Sequence, residues 1–226
     1  EFAPRLGKRY TSIMLFSGLD AATLIARAIV LLIAFTLHEL AHALTADFLG
    51  DPTPRRMGRI SLNPLVHLDP FGTIMLLISG FGWAKPVMVN PYNMRGNPHT
   101  SMAIVAAAGP ITNLILAVLG SIPFVIGFAA PSFTPGTSGD FLLSQFVWIN
   151  LILAFFNLIP VPPLDGYRIL VGLLPFDLAI KLRPLERYGF LVLMGLIFFL
   201  PMIGIDILGT LVMQPAARVF AALAGF

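Results

Sequence analysis

Two histidines and a glutamate at the end of a long apolar segment have the types and spacing of a metal-dependent hydrolase. His38 and His42 are four residues apart, so on a helix they share one face and can bind one metal ion. Glu39 lies next to His38 and can act as the general base that activates water there. The alternative is that both histidines are buried and bonded to backbone carbonyls. Ionisable groups are costly within an apolar span and are usually functional, which favours the metal.

A metal-dependent hydrolase of this kind needs three protein ligands and an open fourth position. The chain has no cysteine, so the third ligand must be a further histidine or a carboxylate. Three prolines before Asp165 forbid a continuous helix, and Gly166 allows a tight turn after it, which favours Asp165. The alternative is that Asp165 only caps a short helix. The other candidates are His67, His99, Asp47 and Asp69.

The composition indicates a membrane protein. Of 226 residues, 57% are hydrophobic and only 11% are charged, whereas a soluble domain carries about 25% charged residues. The 19 prolines and 20 glycines suit broken helices and re-entrant segments. The net charge of +3 does not indicate a nucleic-acid partner, because the basic residues lie in short connections between apolar runs.

The predicted fold class is an all-α polytopic membrane protein with about four to six transmembrane helices. Convincing spans cover residues 21–48, 99–128 and 141–159, and a short helix over 166–174 follows the third. Residues 188–200 and 203–223 are apolar and interrupted by proline. They form either one kinked span with an interfacial tail or a pair of shorter helices.

Shorter segments are expected at the membrane surface. Residues 53–64 alternate weakly and predict a small interfacial β-hairpin, whose exposed edge could bind an unwound substrate. The apolar run 71–83 is short for a span and predicts a re-entrant or tilted helix. Residues 3–20 predict an interfacial segment, with a disordered segment as the alternative, and residues 1–2 have the character of a cloning remnant. The whole chain, 1–226, is expected to form a single membrane-embedded domain.

The basic residues predict the orientation in the membrane. The connections 47–99 and 160–187 should lie on one side, and the opposite loop 129–140 has no Lys or Arg. Positively charged connections favour the cytoplasm, which places the end of the span that carries His38 and His42 there. Three basic residues before the first span oppose this orientation. The nine basic residues of the two connections are Arg55, Arg56, Arg59, Lys85, Arg95, Arg168, Lys181, Arg183 and Arg187.

Two motifs together resemble a known family. His38-Glu39-Leu40-Ala41-His42 and the run from Asn157 to Gly166 (NLIPVPPLDG) are similar to the two signatures of the site-2 protease family of intramembrane zinc metalloproteases. The run from Gly109 to Asn113 (GPITN) and the stretches 63–73 and 82–87 resemble its compact prokaryotic branch, which lacks a PDZ domain. The resemblance covers roughly residues 30–200, and two signatures in the right order on separate spans are specific.

The resemblance implies a function and a site. It implies one Zn²⁺ per chain held by His38, His42 and Asp165, with Glu39 activating water. It implies a substrate that is itself a transmembrane helix and is unwound before cleavage, in a prokaryotic cell membrane. The alternative function is a zinc-binding membrane protein without protease activity, either a transporter or a hydrolase of another substrate such as a lipid.

Three further polar residues are weaker site candidates. Asn157 matches a family asparagine that holds the substrate backbone or polarises the scissile carbonyl, although it could instead bond a carbonyl freed near Pro160. Asn113 could play a similar role, and helix packing explains it equally well. His67 could contact substrate or a metal ligand, or could simply bond the backbone.

Overall fold

The computed structural model describes residues 21–72, 84–134 and 138–225, and this part of the chain is dominated by helices. Three helices are long and apolar enough to cross a membrane: α1 (Ala21–Leu49), α2 (Pro98–Val125) and α3 (Gly139–Asn157). At about 1.5 Å per residue, each of the first two is ~40 Å long and exceeds the ~30 Å hydrocarbon core. The spans predicted at 21–48, 99–128 and 141–159 are therefore confirmed.

The second half of the chain forms shorter helices. These are α4 (Asp165–Leu173), α5 (Phe176–Leu182, continued by the turn Pro184–Arg187), α6 (Gly189–Met202) and α7 (Gln214–Ala224), which follows a π-turn at Gly209–Met213. The chain bends by 76° between α5 and α6, and the two together would make a fourth candidate span. Helix α4 confirms the helix predicted over 166–174. After residue 187 the chain forms separate shorter helices.

Side-chain caps set where the membrane helices begin. Asn97 precedes α2, and its side chain accepts a hydrogen bond from the backbone N–H of His99 at 2.9 Å, with Pro98 at the first helical position. Ser138 caps α3 by accepting from the N–H of Phe141 at 3.2 Å. Both caps satisfy backbone donors that the first helical turn leaves free.

Helix α2 is the central element, because it packs against α1, α3, α4 and α7. Small residues allow close approach: a Cβ added to Gly172 of α4 would lie 2.5 Å from the Cβ of Ala103 in α2. Between α1 and α3, the buried contacts are apolar, with Ala34 and Ile149 in one cluster. The same two helices are also joined by a polar bond from Arg27 Nε to Gln145 Oε1 at 3.0 Å.

The predicted β-hairpin over 53–64 is wrong. Residues Thr53–Arg56 form a short helix and Pro64–Val66 a 3₁₀ turn, and the β-pairing among the described residues is an isolated bridge between Leu68 and Ala84. Prolines at 52, 54 and 64 fix φ and remove ladder donors, which favours helical turns over strands. The re-entrant helix predicted over 71–83 falls almost entirely on residues 73–83, and the interfacial segment on 3–20, both outside the described residues.

A buried arginine holds this connection together without a sheet. Arg59 is 2% exposed, and its guanidinium donates to the carbonyl oxygens of Val66 at 2.6 Å, Lys85 at 3.2 Å and Pro86 at 3.1 Å. The five donors of a guanidinium can satisfy several carbonyls that a β-ladder would otherwise pair. The Arg59 side chain thus satisfies backbone carbonyl groups that strand pairing was predicted to satisfy.

Candidate metal centre

The two histidines of the metal-binding motif lie on the buried face of α1, with one nitrogen of each ring held by a neighbour. His38 Nδ1 is 2.6 Å from Asn113 Oδ1, and His42 Nδ1 is 2.7 Å from the carbonyl oxygen of Val105, both on α2. A carbonyl oxygen accepts but cannot donate, so these Nδ1 atoms carry the hydrogens. The Nε2 atoms therefore present lone pairs, as metal ligands do.

Helix α4 brings a carboxylate to the same point. Asp165 is its first residue, placed by the proline-rich segment, and its Oδ2 lies 3.1 Å from His38 Nε2 and 3.3 Å from His42 Nε2. The two Nε2 atoms are 3.0 Å apart. The N-cap position of α4 is occupied by Leu164, so Asp165 is not the capping residue that the alternative required.

The three ligand atoms have the spacing of a tetrahedral metal site. Asp165 Oδ2 is buried without a hydrogen-bond partner, although two nitrogens lie close to it. Asp165 Oδ2 has no donor if both Nε2 atoms that face it lack a hydrogen. The lone pairs of the three atoms then point at one another and repel, unless a cation lies among them. Ligands at about 2.0–2.1 Å from zinc in a tetrahedron are separated by roughly 3.3 Å. The donor set and spacing therefore fit a zinc ion.

A glycine on α2 keeps this space open. A Cβ added to Gly109 would lie 2.5 Å from His42 Nε2 and 2.6 Å from His38 Nε2. Those two nitrogens are the atoms that face the proposed ion. The absence of a side chain at position 109 thus leaves room beside the three ligands, where a metal ion and the substrate must fit.

Glu39 is a buried carboxylate next to one of these ligands along the chain. It follows His38 on α1 and is 8% exposed. A carboxylate next to a metal site, rather than among its ligands, suits a general base.

The other carboxylates and histidines weighed as third ligands have different partners. Asp47 forms a two-bond ion pair with Arg55, and Asp69 accepts from the N–H of Gly72. His99 lies in the first turn of α2, against the ring of Phe176. Among the described residues, His38, His42 and Asp165 form the group of three whose ligand atoms could hold one ion.

The weaker site candidates lie in three different settings. Asn157 ends α3, and its Nδ2 donates to the carbonyl oxygen of Leu153 at 3.0 Å, which leaves its second amide hydrogen for another acceptor. Asn113 is fully buried and bonds His38. His67 is 1% exposed, and its Nε2 is 2.9 Å from the carbonyl oxygen of Ser61.

The sequence reasoning missed one residue connected to the centre. Asn150 of α3 is fully buried, and its Oδ1 accepts from Asn113 Nδ2 at 2.8 Å. A polar amide in the middle of the apolar run 141–159 was the available signal, since buried polar groups in membrane helices need partners.

Comparison with known proteins agrees with this chemistry. Residues 132–200 match the model of peptidase family M50. "Putative zinc metalloprotease YwhC" of Bacillus subtilis is 44% identical over 173 residues, which cover 74% of this chain and 78% of that protein. "Putative zinc metalloprotease Rip2" of Mycolicibacterium smegmatis is 32% identical over 74% of this chain and 64% of that protein. "Putative zinc metalloprotease MJ0611" of Methanocaldococcus jannaschii is 34% identical over 68% of this chain and 73% of that protein.

No solved structure matches this chain. The relative from Bacillus subtilis is similar along most of both chains. The described part of the structure brings together three side chains that could hold a metal ion. The chain therefore belongs to peptidase family M50, the site-2 protease family, and is a zinc metalloprotease with membrane-spanning helices.

Proposed function

We propose that this protein hydrolyses peptide bonds within or near the transmembrane helices of other membrane proteins, as in regulated intramembrane proteolysis. The observation that carries the proposal is the convergence of His38, His42 and Asp165 between helices of membrane-spanning length. A site built among such helices can reach bonds that a soluble protease cannot. The zinc ligands are His38, His42 and Asp165, and the whole chain, 1–226, acts as one membrane-embedded domain.

Each residue at the centre has a distinct task. Bound zinc supplies Lewis acidity, which lowers the pKa of water and polarises a carbonyl group. The Glu39 carboxylate takes a proton from the attacking water and can return it to the leaving amine. Asn157 directs its free amide hydrogen to the backbone oxygen of the substrate and so holds the scissile bond in place.

The position of the centre along α1 suits access to water. His38 and His42 lie in the second half of the span Thr23–Leu49, beyond which the basic connection begins. We place this end at the cytoplasmic side, because the connections on that side contain the basic residues. Water then reaches the centre over a short distance, along the polar backbone of the segment before Asp165.

The substrate must lose helical structure before it is cut. A helix hides its carbonyl groups in its own hydrogen bonds, and inside a bilayer those bonds are costly to open. Substrate helices with glycine, proline or other helix-weakening residues near the cleaved bond should therefore be cleaved fastest. Replacing those residues with leucine should slow cleavage of a transmembrane test peptide, and an unchanged rate would contradict this mechanism.

The decisive test is a comparison of the unsubstituted protein with Glu39→Gln. We expect Glu39→Gln to retain one zinc per chain, measured by elemental analysis, and to lose about 10²–10⁴-fold in cleavage rate on a transmembrane test peptide. Glu186→Gln is the matched control, because Glu186 is an exposed glutamate on the turn after α5 and should have no effect.

Two results would contradict the proposal. Full cleavage by Glu39→Gln would show that Glu39 is not the general base. Release of a fatty acid or head group from lipid, without a peptide product, would instead make the protein a hydrolase of another substrate.

A further inference from the structure

We propose that Asn113 and Asn150 form an amide relay that sets the hydrogen position on His38, and so makes its Nε2 a metal-binding atom. This rests on the proposed function, since it takes His38 to be a zinc ligand. The two asparagines are positioning residues, which act through His38.

The amide relay joins three helices through a continuous chain of hydrogen bonds. His38 Nδ1 of α1 lies 2.6 Å from Asn113 Oδ1 of α2. Asn113 Nδ2 donates to Asn150 Oδ1 of α3 at 2.8 Å, and Asn150 Nδ2 donates to the carbonyl oxygen of Phe146 at 2.9 Å. His38 is 4% exposed and both asparagines are 0% exposed, so water does not compete for these bonds.

The direction of the chain is determined at its far end. The carbonyl oxygen of Phe146 can only accept, so Asn150 must turn its NH₂ group towards it and its oxygen towards Asn113. Asn113 must then turn its own NH₂ group to Asn150 and its oxygen to His38. An oxygen facing Nδ1 requires that nitrogen to carry the hydrogen. A backbone carbonyl on α3 thus dictates that the neutral ring of His38 on α1 has a bare Nε2.

His42 needs no such relay, and the contrast explains the role of Asn150. His42 bonds the carbonyl oxygen of Val105, which accepts only and cannot change its role. The partner of His38 is instead an amide, which can turn over and present either an acceptor or a donor. If Asn113 turned its NH₂ group towards Nδ1 of His38, it would favour hydrogen on Nε2. An Nε2 atom that carries hydrogen cannot bind zinc. Asn150 prevents this turn.

A double-mutant cycle at positions 113 and 150 tests the relay. Asn150→Leu removes the acceptor that holds Asn113, and we expect zinc affinity to fall about 10–100-fold, as for other partners of metal-bound histidines. N113D replaces the ambivalent amide with a carboxylate, which can only accept from Nδ1. In the N113D background, Asn150→Leu should therefore leave zinc affinity unchanged within about threefold, because no turn of residue 113 can then alter the ring.

Zinc affinity is measured by chelator competition on the full chain in detergent, with thermal unfolding of the zinc-free protein recorded in parallel. Gln145→Leu is the matched control, because it removes another buried α3 amide that bonds to α1, through Arg27, outside the relay. It should change stability without changing zinc affinity. If the leucine variant does not fold, Asn150→Ala carries the same expectation with a smaller side chain.

A direct readout needs no substitution. The chain has four histidines, so ¹⁵N-histidine spectra of the zinc-free protein can be assigned, and His38 should show its hydrogen on Nδ1. A bare Nδ1 on His38, with its hydrogen on Nε2 alone, would overturn the relay, as would full zinc affinity in Asn150→Leu or an equal loss in both backgrounds of the cycle. Absence of zinc binding by the unsubstituted protein would overturn the relay and the proposed function together, whereas the other outcomes overturn the relay alone.

Discussion

At the scale of single residues, the metal centre depends on the absence of a side chain at position 109 as much as on its three ligands. Gly109 lies on α2 opposite the two Nε2 atoms, and any side chain there would enter the space they enclose. In the sequence, Gly109 is only the first residue of a run that resembles the family, Gly109 to Asn113. The structure gives it a physical role, because the space beside three convergent ligands must remain empty of protein atoms.

Gly109→Ala should therefore remove zinc without unfolding the protein. The added methyl would lie about 2.5 Å from both imidazoles, closer than carbon and nitrogen approach without displacement, so the rings must move apart. We expect at least a tenfold loss of zinc affinity by chelator competition. Gly195→Ala is the control, because a Cβ at that helical glycine meets nothing within 4 Å. Equal zinc affinity in both variants would show that position 109 does not border the ion.

At the scale of elements, one carboxylate fixes the end of α1 to the connection that leads to α2. Asp51 is fully buried, and its Oδ1 accepts from the N–H and hydroxyl of Thr53 and from Asn93 Nδ2. Its Oδ2 accepts from the N–H of Asn90 at 2.7 Å. Four donors on one carboxylate tie residues 90–93 to the helix that carries the histidines.

Replacing Asp51 should destabilise this connection. Asp51→Ala leaves several buried donors without an acceptor, and we expect a loss of about 2–4 kcal/mol in the free energy of unfolding, since bonds to charged groups contribute about 1.5–3 kcal/mol each and partly overlap. Thermal unfolding in detergent measures the loss. A matched control is Asp177→Ala, which removes an exposed carboxylate in the first turn of α5 and should cost much less.

The Asp51 carboxylate also predicts how the stability of the protein depends on pH. Burial raises the pKa of Asp51, but the hydrogen bonds from Thr53, Asn93 and Asn90 outweigh it, so the pKa lies below its usual value. A carboxyl whose pKa is lower when folded stabilises the protein above its unfolded pKa of about 4, and this contribution disappears as the pH falls through the folded pKa. Asp51→Asn should therefore show a shallower loss of unfolding temperature below pH 4. An unchanged slope would contradict this role.

The elements show which features the sequence could predict. The limits of α1, α2 and α3 were predicted within three residues, because apolar length and the residues that break helices define them. Position 165 was predicted because three prolines and a glycine restrict the chain there. Asn150 was missed because hydropathy does not show which face of α3 meets a polar neighbour. The hairpin was wrong because the prolines at 52, 54 and 64 favour helical turns. The bonds from Arg59 to distant carbonyl groups, which replace strand pairing, depend on the tertiary fold and could not be predicted.

At the scale of the whole molecule, the outer faces of the helices match a lipid environment. Ile25, Ile29 and Ile33 are 62%, 50% and 43% exposed and follow each other at four-residue intervals along α1. Val30, Leu31 and Ala34 of the same helix are buried against α3. Such an apolar outer surface around a polar centre is unfavourable in water and favourable in a bilayer. The metal centre is thus shielded from lipid by the helices that supply its ligands.

The orientation of the molecule in the membrane can be tested directly, because the chain has no cysteine and a single one can be introduced without background. Tyr92 is 79% exposed in the basic connection, and Thr134 is exposed in the opposite loop. If the basic connections face the cytoplasm, an impermeant maleimide should label Tyr92→Cys in inverted vesicles and Thr134→Cys in right-side-out vesicles. The reverse pattern would place the metal centre at the outer side, and labelling of both from one side would mean that α2 does not cross the membrane.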